Sequence, residues 1–88
     1  MIKVVRAELK TNYLVQLEFS DGTSGDYDVA ELVRQDTEMV RPLKDPAFFA
    51  DFFLELGALC WRNGFELSAS SLHRKLAERG ELRRADAA

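Results

Sequence analysis

Four acidic side chains lie close together in the sequence between residues 21 and 31, where they could hold a cation or act as acid and base. Asp21, Asp26, Asp28 and Glu31 fall within one short stretch, and carboxylate oxygens are the ligands that Ca²⁺ and Mg²⁺ prefer. Acid–base catalysis would also need a neighbouring group that separates the pKa values of two carboxyls, and none stands nearby. We therefore expect this acidic corner to serve turn formation, without metal binding or catalysis.

The remaining reactive residue types stand alone. His73 is the only histidine, so a zinc site would lack its other ligands, and we expect this side chain to face solvent. Cys60 is the only cysteine and lies in an apolar stretch, which predicts a small buried hydrophobic residue. Ser70 and Ser71 have no base at a readable spacing, and the scattered glycines form no phosphate-binding loop. The sequence thus predicts a protein that is not an enzyme and has no cofactor.

The first half of the chain has the pattern of a β-meander. Apolar side chains alternate with mostly polar ones from Tyr13 to Phe19, which is the period of a half-buried strand. The segment from Ile2 to Leu9 is predicted to pair with it antiparallel across a turn at Thr11-Asn12. Asp21-Gly22 marks a second reversal, and a short third strand is expected to follow from Gly25 to Val29.

The segment from Pro46 to Leu56 is ambiguous. Its phenylalanines recur at helical spacing behind the start signal Asp45-Pro46, which favours one helix. The segments Phe52 to Leu56 and Ala58 to Trp61 flank Gly57, however, and are rich in aromatic and aliphatic residues, as in a hairpin packed on both faces. Periodicity alone does not decide between the two.

The last helix has clearer end signals. Ser68 offers a hydroxyl to the free amides of a helix from about Ala69 to Arg79. Gly80 can adopt the left-handed conformation that ends it. We expect residues 81–88 to be a frayed tail, so that a single domain spans residues 1–80.

Size and charge restrict the class of protein. The chain has 88 residues, 47% of them hydrophobic and 31% charged, which predicts one modest core. Charges near the start interrupt any signal sequence, and no apolar run reaches the roughly 20 residues of a membrane-spanning helix. We therefore expect a cytoplasmic protein that does not cross a membrane.

Net charge is unevenly distributed. Residues 1–67 hold 7 basic against 12 acidic side chains, and residues 68–88 hold 5 against 3. Acidic residues interleave with this basic end and dilute its field, so nucleic-acid binding is not expected of this chain alone. A DNA-associated regulator remains the alternative function. The basic end consists of Arg74, Lys75, Arg79, Arg83 and Arg84.

The most informative feature is a concentration of aromatic residues. Five of the six phenylalanines lie between Phe48 and Phe65. A small domain with one covering helix should leave some of them exposed, and large exposed apolar patches mark interfaces. Trp61, inside an apolar strand next to Cys60, could be a platform for stacking a ligand, but we expect it to be a core anchor. We predict that the hairpin forms the surface for a homodimer or a small protein partner, with the contacts made by Phe52, Phe53, Leu54, Leu59 and Trp61.

Several of these segments together resemble one bacterial family, domain of unknown function 2442. The resemblance rests on F-S-D-G at Phe19–Gly22, on Asp28, on P-L-x-D-P-x-F-F at Pro42–Phe49 and on W-x-N-G at Trp61–Gly64. Their order and spacing cover nearly the whole chain to about Gly80. The family usually has proline where this chain has Arg62, and an acidic residue near the last helix, where Ser68 and Ser70 stand.

The resemblance implies a fold and a class of role. It favours a short helix from Pro46 to Asp51 followed by the hairpin, and so an α+β fold with a small antiparallel β-meander, a second β-hairpin, short helices and a C-terminal helix packed on the sheet. It implies no established activity. Some relatives carry a helix-turn-helix module after this domain and others are encoded beside a toxin-like family. Because this sequence ends before such a module, we expect an accessory or antitoxin-like protein.

Overall fold

A computed structural model describes residues 1–84, which form two antiparallel sheets with helices between and after them. The larger sheet has the order β1-β2-β3-β7 and consists of β1 (Val4–Thr11), β2 (Leu14–Phe19), β3 (Thr23–Asp28) and β7 (Arg83–Arg84). The smaller sheet consists of β4 (Phe53–Glu55), β5 (Ala58–Cys60) and β6 (Glu66–Leu67), in that order. The helices are α1 (Ala30–Val33), a 3₁₀ turn (Arg41–Lys44), α2 (Pro46–Ala50) and α3 (Ala69–Glu78). The predicted α+β fold class is confirmed.

The meander follows the alternation seen in the sequence. On β2, Val15, Leu17 and Phe19 are 0%, 0% and 2% exposed, and they form the centre of the core. The first turn lies one residue later than expected, because β1 continues to Thr11 and the reversal begins at Asn12, which has φ 50°. Asparagine tolerates this left-handed conformation better than most residues.

The ambiguous segment is a short helix followed by a hairpin. Helix α2 starts behind Asp45, whose side chain accepts a hydrogen bond of 3.1 Å from the Ala47 amide, and it ends at Ala50. Strands β4 and β5 then pair through Leu54 opposite Leu59. The hairpin is favoured because alternation along it directs leucines into the core, with Leu59 0% exposed.

Helix α3 has the expected start and stop. The Ser68 hydroxyl accepts a hydrogen bond of 3.2 Å from the Ser71 amide, and Gly80 has φ 68° just beyond the helix. Leu72 and Leu76 are 1% and 0% exposed and fix the helix to the sheet. The core is one cluster that includes residues of both sheets and of α3.

The expectation of a frayed tail from Glu81 is wrong for residues 81–84. The Glu81 amide donates a 2.8 Å hydrogen bond to the Leu76 carbonyl, and β7 then pairs with β3 through Thr23 and Ser24. This approach depends on Gly25, because a Cβ there would lie 3.0 Å from the Glu81 carbonyl oxygen. Residues 85–88, the rest of that predicted tail, lie outside the described residues.

No helix within residues 1–84 is both long enough and apolar enough to span a bilayer.

Candidate functional site

Most of the aromatic cluster is internal. The Trp61 ring is 1% exposed, stacks on Phe49 at 5.7 Å between centroids, and lies 6.1 Å from Phe52 and 5.6 Å from Phe65. Its indole N–H donates a 3.0 Å hydrogen bond to the Phe49 carbonyl, which satisfies both buried groups. Tyr13 adds an edge contact to Phe49. These rings hold α2, the hairpin and the meander together, which agrees with the prediction that Trp61 anchors the core.

The predicted interface therefore needs correction. Leu59 and Trp61 are 0% and 1% exposed and are not accessible to a partner in this structure. Phe52 and Leu54 are partly buried and pack against the core. Only Phe53 is substantially exposed, at 42%. Both faces of the hairpin look apolar in sequence, although only one of them faces the core.

The outer face of the smaller sheet combines apolar and acidic side chains. Phe53 lies opposite Cys60, which lies opposite Glu66, so these three residues share one face. Glu55, two residues after Phe53, points to the same side. Leu56 follows at the tip of the hairpin and is 95% exposed. We call the group of Phe53, Glu55, Leu56 and Glu66 the hairpin surface.

The turn at the tip of the hairpin has an unusual residue in it. Leu56 has φ 52° and Gly57 has φ 80°, so that both central residues of the two-residue loop are left-handed. Such loops strongly favour asparagine or aspartate followed by glycine, because a Cβ in this conformation approaches the following carbonyl oxygen. A bulky residue there is an outlier. Leu56 thus adds backbone strain and exposes an apolar side chain, and neither effect stabilises this fold.

A shallow groove of about 140 Å³ adjoins the tip of the hairpin. Its walls are mainly apolar and include Ile2, Leu56 and Ala58, and it ends at the start of α3 beside Ser68. The hairpin is fixed at this place to the larger sheet, because the Val4 amide donates a 2.9 Å hydrogen bond to the Gly57 carbonyl. The tip therefore stands on a rigid base, which limits the entropy lost on binding.

Cys60 lies beneath the hairpin surface as a small apolar residue. It is 7% exposed, and burial raises the pKa of its thiol, with the neighbouring carboxylates of Glu66 and Glu55 acting in the same direction. A raised pKa keeps the thiol protonated and weakly nucleophilic. The predicted role as a buried hydrophobic residue is confirmed.

The acidic corner does not converge on a common point. Asp21 accepts hydrogen bonds from the amide and hydroxyl of Thr23, and the Asp28 side chain accepts a 3.0 Å bond from the Ala30 amide. Asp26 lies 3.9 Å from Arg83. Among residues 1–84 no group of histidine, cysteine and carboxylate side chains is arranged to hold a metal ion. These carboxylates shape turns and meet positive charges of the last helix and strand.

His73 is a structural residue, which corrects the expectation that it faces solvent. Its side chain is 26% exposed and packs edge-on against Phe19 at 5.1 Å. The ring Nε2 lies 2.9 Å from a carboxylate oxygen of Asp21. Hydrogen bonds from Thr23, and then the contact with His73, lower the pKa of Asp21 from 3.8 to about 2. The pair fixes α3 to the turn between β2 and β3.

The basic end is largely engaged within the domain, since four of its five side chains contact other residues. These contacts join Lys75 to the Tyr27 hydroxyl at 3.4 Å, Arg79 to Glu31 at 3.0 Å, Arg83 to Asp26 at 3.9 Å and Arg84 to the Asp21 carbonyl at 3.2 Å. Burial, followed by the nearby Glu31 carboxylate, raises the pKa of Tyr27, which therefore stays protonated. Only Arg79 and Arg83 face carboxylates, whereas Lys75 and Arg84 contact neutral oxygens and keep their positive charge.

Comparison with known proteins identifies a family. A family model described as "Protein of unknown function (DUF2442)" matches residues 4–78. The chain belongs to this family. The DUF2442 match runs from the first residue of β1 to the last residue of α3, and it confirms the resemblance seen in the sequence. No curated protein and no solved structure matches the chain.

Two features of this DUF2442 domain escaped the sequence reasoning. Leu56 ends an apolar segment of the sequence, and no local signal indicates its left-handed conformation, because two-residue loops favour asparagine or aspartate before glycine. The contact between Asp21 and His73 joins positions 52 residues apart. No local pattern indicates such a pair, because it exists only once α3 packs on the sheet.

Proposed function

We propose that this domain is a binding module that contacts a protein partner through the hairpin surface, without catalysing a reaction. The observation that supports the proposal is Leu56, which is 95% exposed and has φ 52°. A strained and exposed leucine destabilises the isolated domain, and such features persist where function requires them. Phe53, exposed to 42% on the adjoining face, adds an aromatic contact of the kind enriched at interfaces.

The hairpin surface is smaller than the apolar interface expected from the sequence, and it projects from the domain at Leu56. An accessory or antitoxin-like role, as the family resemblance implies, is one form that such binding takes. The expected setting is the bacterial cytoplasm. Self-association through the hairpin surface is the competing form of the same function, and the experiment below separates the two.

The test compares substitutions that remove exposed apolar side chains at different places. The tagged domain is incubated with extract of the native host, retained proteins are quantified by mass spectrometry, and the leading candidate is purified for calorimetry. The variants Leu56→Asn and Phe53→Gln should weaken binding by about tenfold or more, the range of interface hot spots. The variant Met39→Gln is the matched control, because Met39 is 43% exposed but lies in the loop between α1 and the 3₁₀ turn.

Each outcome of this comparison is informative. A partner that binds the wild type and the Met39→Gln variant equally, and binds the two hairpin variants weakly, supports the proposal. Light scattering on the purified domain reports self-association, and a dimer that only the hairpin variants dissociate would favour the competing form. Equal retention of every protein by all four forms would refute both.

A further inference from the structure

The carboxylates of the two sheets differ in whether they form ion pairs within the domain. In the larger sheet, Glu8 and Glu18 meet Arg6 at 3.2 and 3.8 Å, and Asp26 meets Arg83 at 3.9 Å. In the smaller sheet, neither Glu55 nor Glu66 takes part in an ion pair or a side-chain hydrogen bond within residues 1–84. The two glutamates of the smaller sheet are therefore free to interact with a positive charge from outside the domain.

The two glutamates of the smaller sheet lie beside the exposed apolar side chains of the hairpin surface. Glu66 lies in the same cross-strand row as Phe53, and Glu55 directly precedes Leu56. The exposed apolar groups thus have acidic groups beside them on the same face. Lys3 lies at the base of the hairpin, where its stem approaches Gly57. It forms no ion pair with Glu55 within the described part of the chain.

We infer that the partner of the hairpin surface is a protein with an apolar pocket bordered by lysine or arginine side chains, and that it is not a second copy of this chain. The inference rests on the proposed function and specifies the chemistry of its partner. A two-fold dimer through this surface would apply the same patch to itself, so that glutamates of both copies would share a small apolar contact. Opposite charges at the border of an interface instead raise the rate of association and select the partner.

The test uses short synthetic peptides as probes, because the peptides can be matched in all but charge. One amphipathic peptide contains leucine and lysine, and the other contains leucine and glutamate in the same pattern. Binding to the ¹⁵N-labelled domain is followed by NMR. The leucine–lysine peptide should shift the amides of residues 53–58 and 66 and should bind more weakly as salt increases. The leucine–glutamate peptide should not bind at this surface.

Two double variants with equal net charge separate the attraction of the peptide to the hairpin surface from its attraction to the net charge of the whole domain. Glu55→Lys/Glu66→Lys reverses the charges of the hairpin surface, while Glu38→Lys/Glu78→Lys reverses two exposed glutamates, one in the loop before the 3₁₀ turn and one at the end of α3. The first should raise the dissociation constant of the leucine–lysine peptide by about tenfold or more, and the second by less than about threefold. If the lysine variant does not fold, as judged by circular dichroism, Glu55→Gln/Glu66→Gln removes the charges with smaller changes.

The outcomes distinguish this inference from the proposed function. If Leu56→Asn weakens peptide binding but Glu55→Lys/Glu66→Lys does not, the choice of a basic partner is wrong and the binding surface remains. Equal weakening by both double variants would show a general charge effect and also overturn the inference. A wild-type dimer that Leu56→Asn dissociates would do the same. If neither Leu56→Asn nor Phe53→Gln affects binding, the proposed function itself fails.

Discussion

The conformation of Leu56 leads to a prediction about stability. Its φ of 52° costs a residue with a Cβ about 1 to 2 kcal/mol relative to right-handed conformations. Asparagine is among the residues best tolerated there, so Leu56→Asn should recover about half of that strain. The leucine side chain is 95% exposed, and its loss should remove no more than about 0.1 kcal/mol of hydrophobic stabilisation. The variant should therefore gain about 0.5 to 1 kcal/mol in free energy of unfolding.

Urea denaturation measures this gain directly. Trp61 is the only tryptophan and is 1% exposed, so its fluorescence reports unfolding of the core without an added label. For a domain of this size the gain corresponds to a rise in Tm of about 2 to 8 °C. The control is Leu56→Ala, which removes the same exposed apolar atoms but keeps a Cβ at the left-handed position. It should change the free energy of unfolding by less than about 0.3 kcal/mol, because the strain remains.

The comparison of the two variants determines what the result means. If Leu56→Asn is no more stable than Leu56→Ala, the turn is not strained and the central observation behind the proposed function is lost. If Leu56→Asn is more stable but binds partner as the wild type does, the strain is real and has no functional use. Only a gain in stability together with weaker binding agrees with a leucine that is kept for a partner.

Three further predictions concern the core, the acid limit of stability and the attachment of the last strand. Trp61→Phe leaves the buried Phe49 carbonyl without its donor and should lower the free energy of unfolding by about 2 to 4 kcal/mol. Urea denaturation followed by circular dichroism measures this loss, and a loss below about 0.5 kcal/mol would contradict the assignment of Trp61 to the core. The pKa of Asp21 is lowered from 3.8 to about 2, so its stabilising contribution is complete above about pH 4 and is lost as the pH falls towards 2. The variant Asp21→Asn should therefore lose less Tm than the wild type between about pH 4 and 2. An unchanged profile of Tm against pH would rule out Asp21 as a source of the acid sensitivity. Gly25→Ala places a Cβ 3.0 Å from both the Glu81 carbonyl oxygen and a Leu76 methyl group, and it should cost about 1 to 3 kcal/mol, measured as a lower Tm. An unchanged Tm would contradict the close packing of α3 and the Glu81 backbone against β3.

Elements that depend on local signals were predictable from the sequence. The alternation along β2, the Ser68 hydroxyl before α3 and Gly80 after it each act within a few residues. The two-residue strands β6 and β7 exist only through their pairing with β5 and β3, and nothing in their own composition favours them. A strand that short carries too few side chains for a period to be read.

The candidate site was only partly predictable, for a related reason. The hairpin was expected, but its two faces could not be told apart, because a shift of one residue exchanges the inward and outward sets of side chains. The predicted interface therefore mixed Phe53, which is exposed, with Leu59 and Trp61, which are buried. Which face points inward is set by the aromatic rings of α2 and by the Val4 contact with Gly57, and both are long-range packing effects.

The distribution of charges in this domain separates stability from binding. Side chains of the acidic corner hold α3 and β7 in place, as the contacts of Asp21 with His73, of Glu31 with Arg79 and of Asp26 with Arg83 show. The hairpin surface takes no part in that attachment, and its glutamates stand beside exposed apolar groups instead. Changes at the first group should act on folding, and changes at Glu55 and Glu66 should act on recognition. A partner drawn to the hairpin surface would thus find it already formed, since the rigid core beneath it is held by contacts that binding does not need to alter.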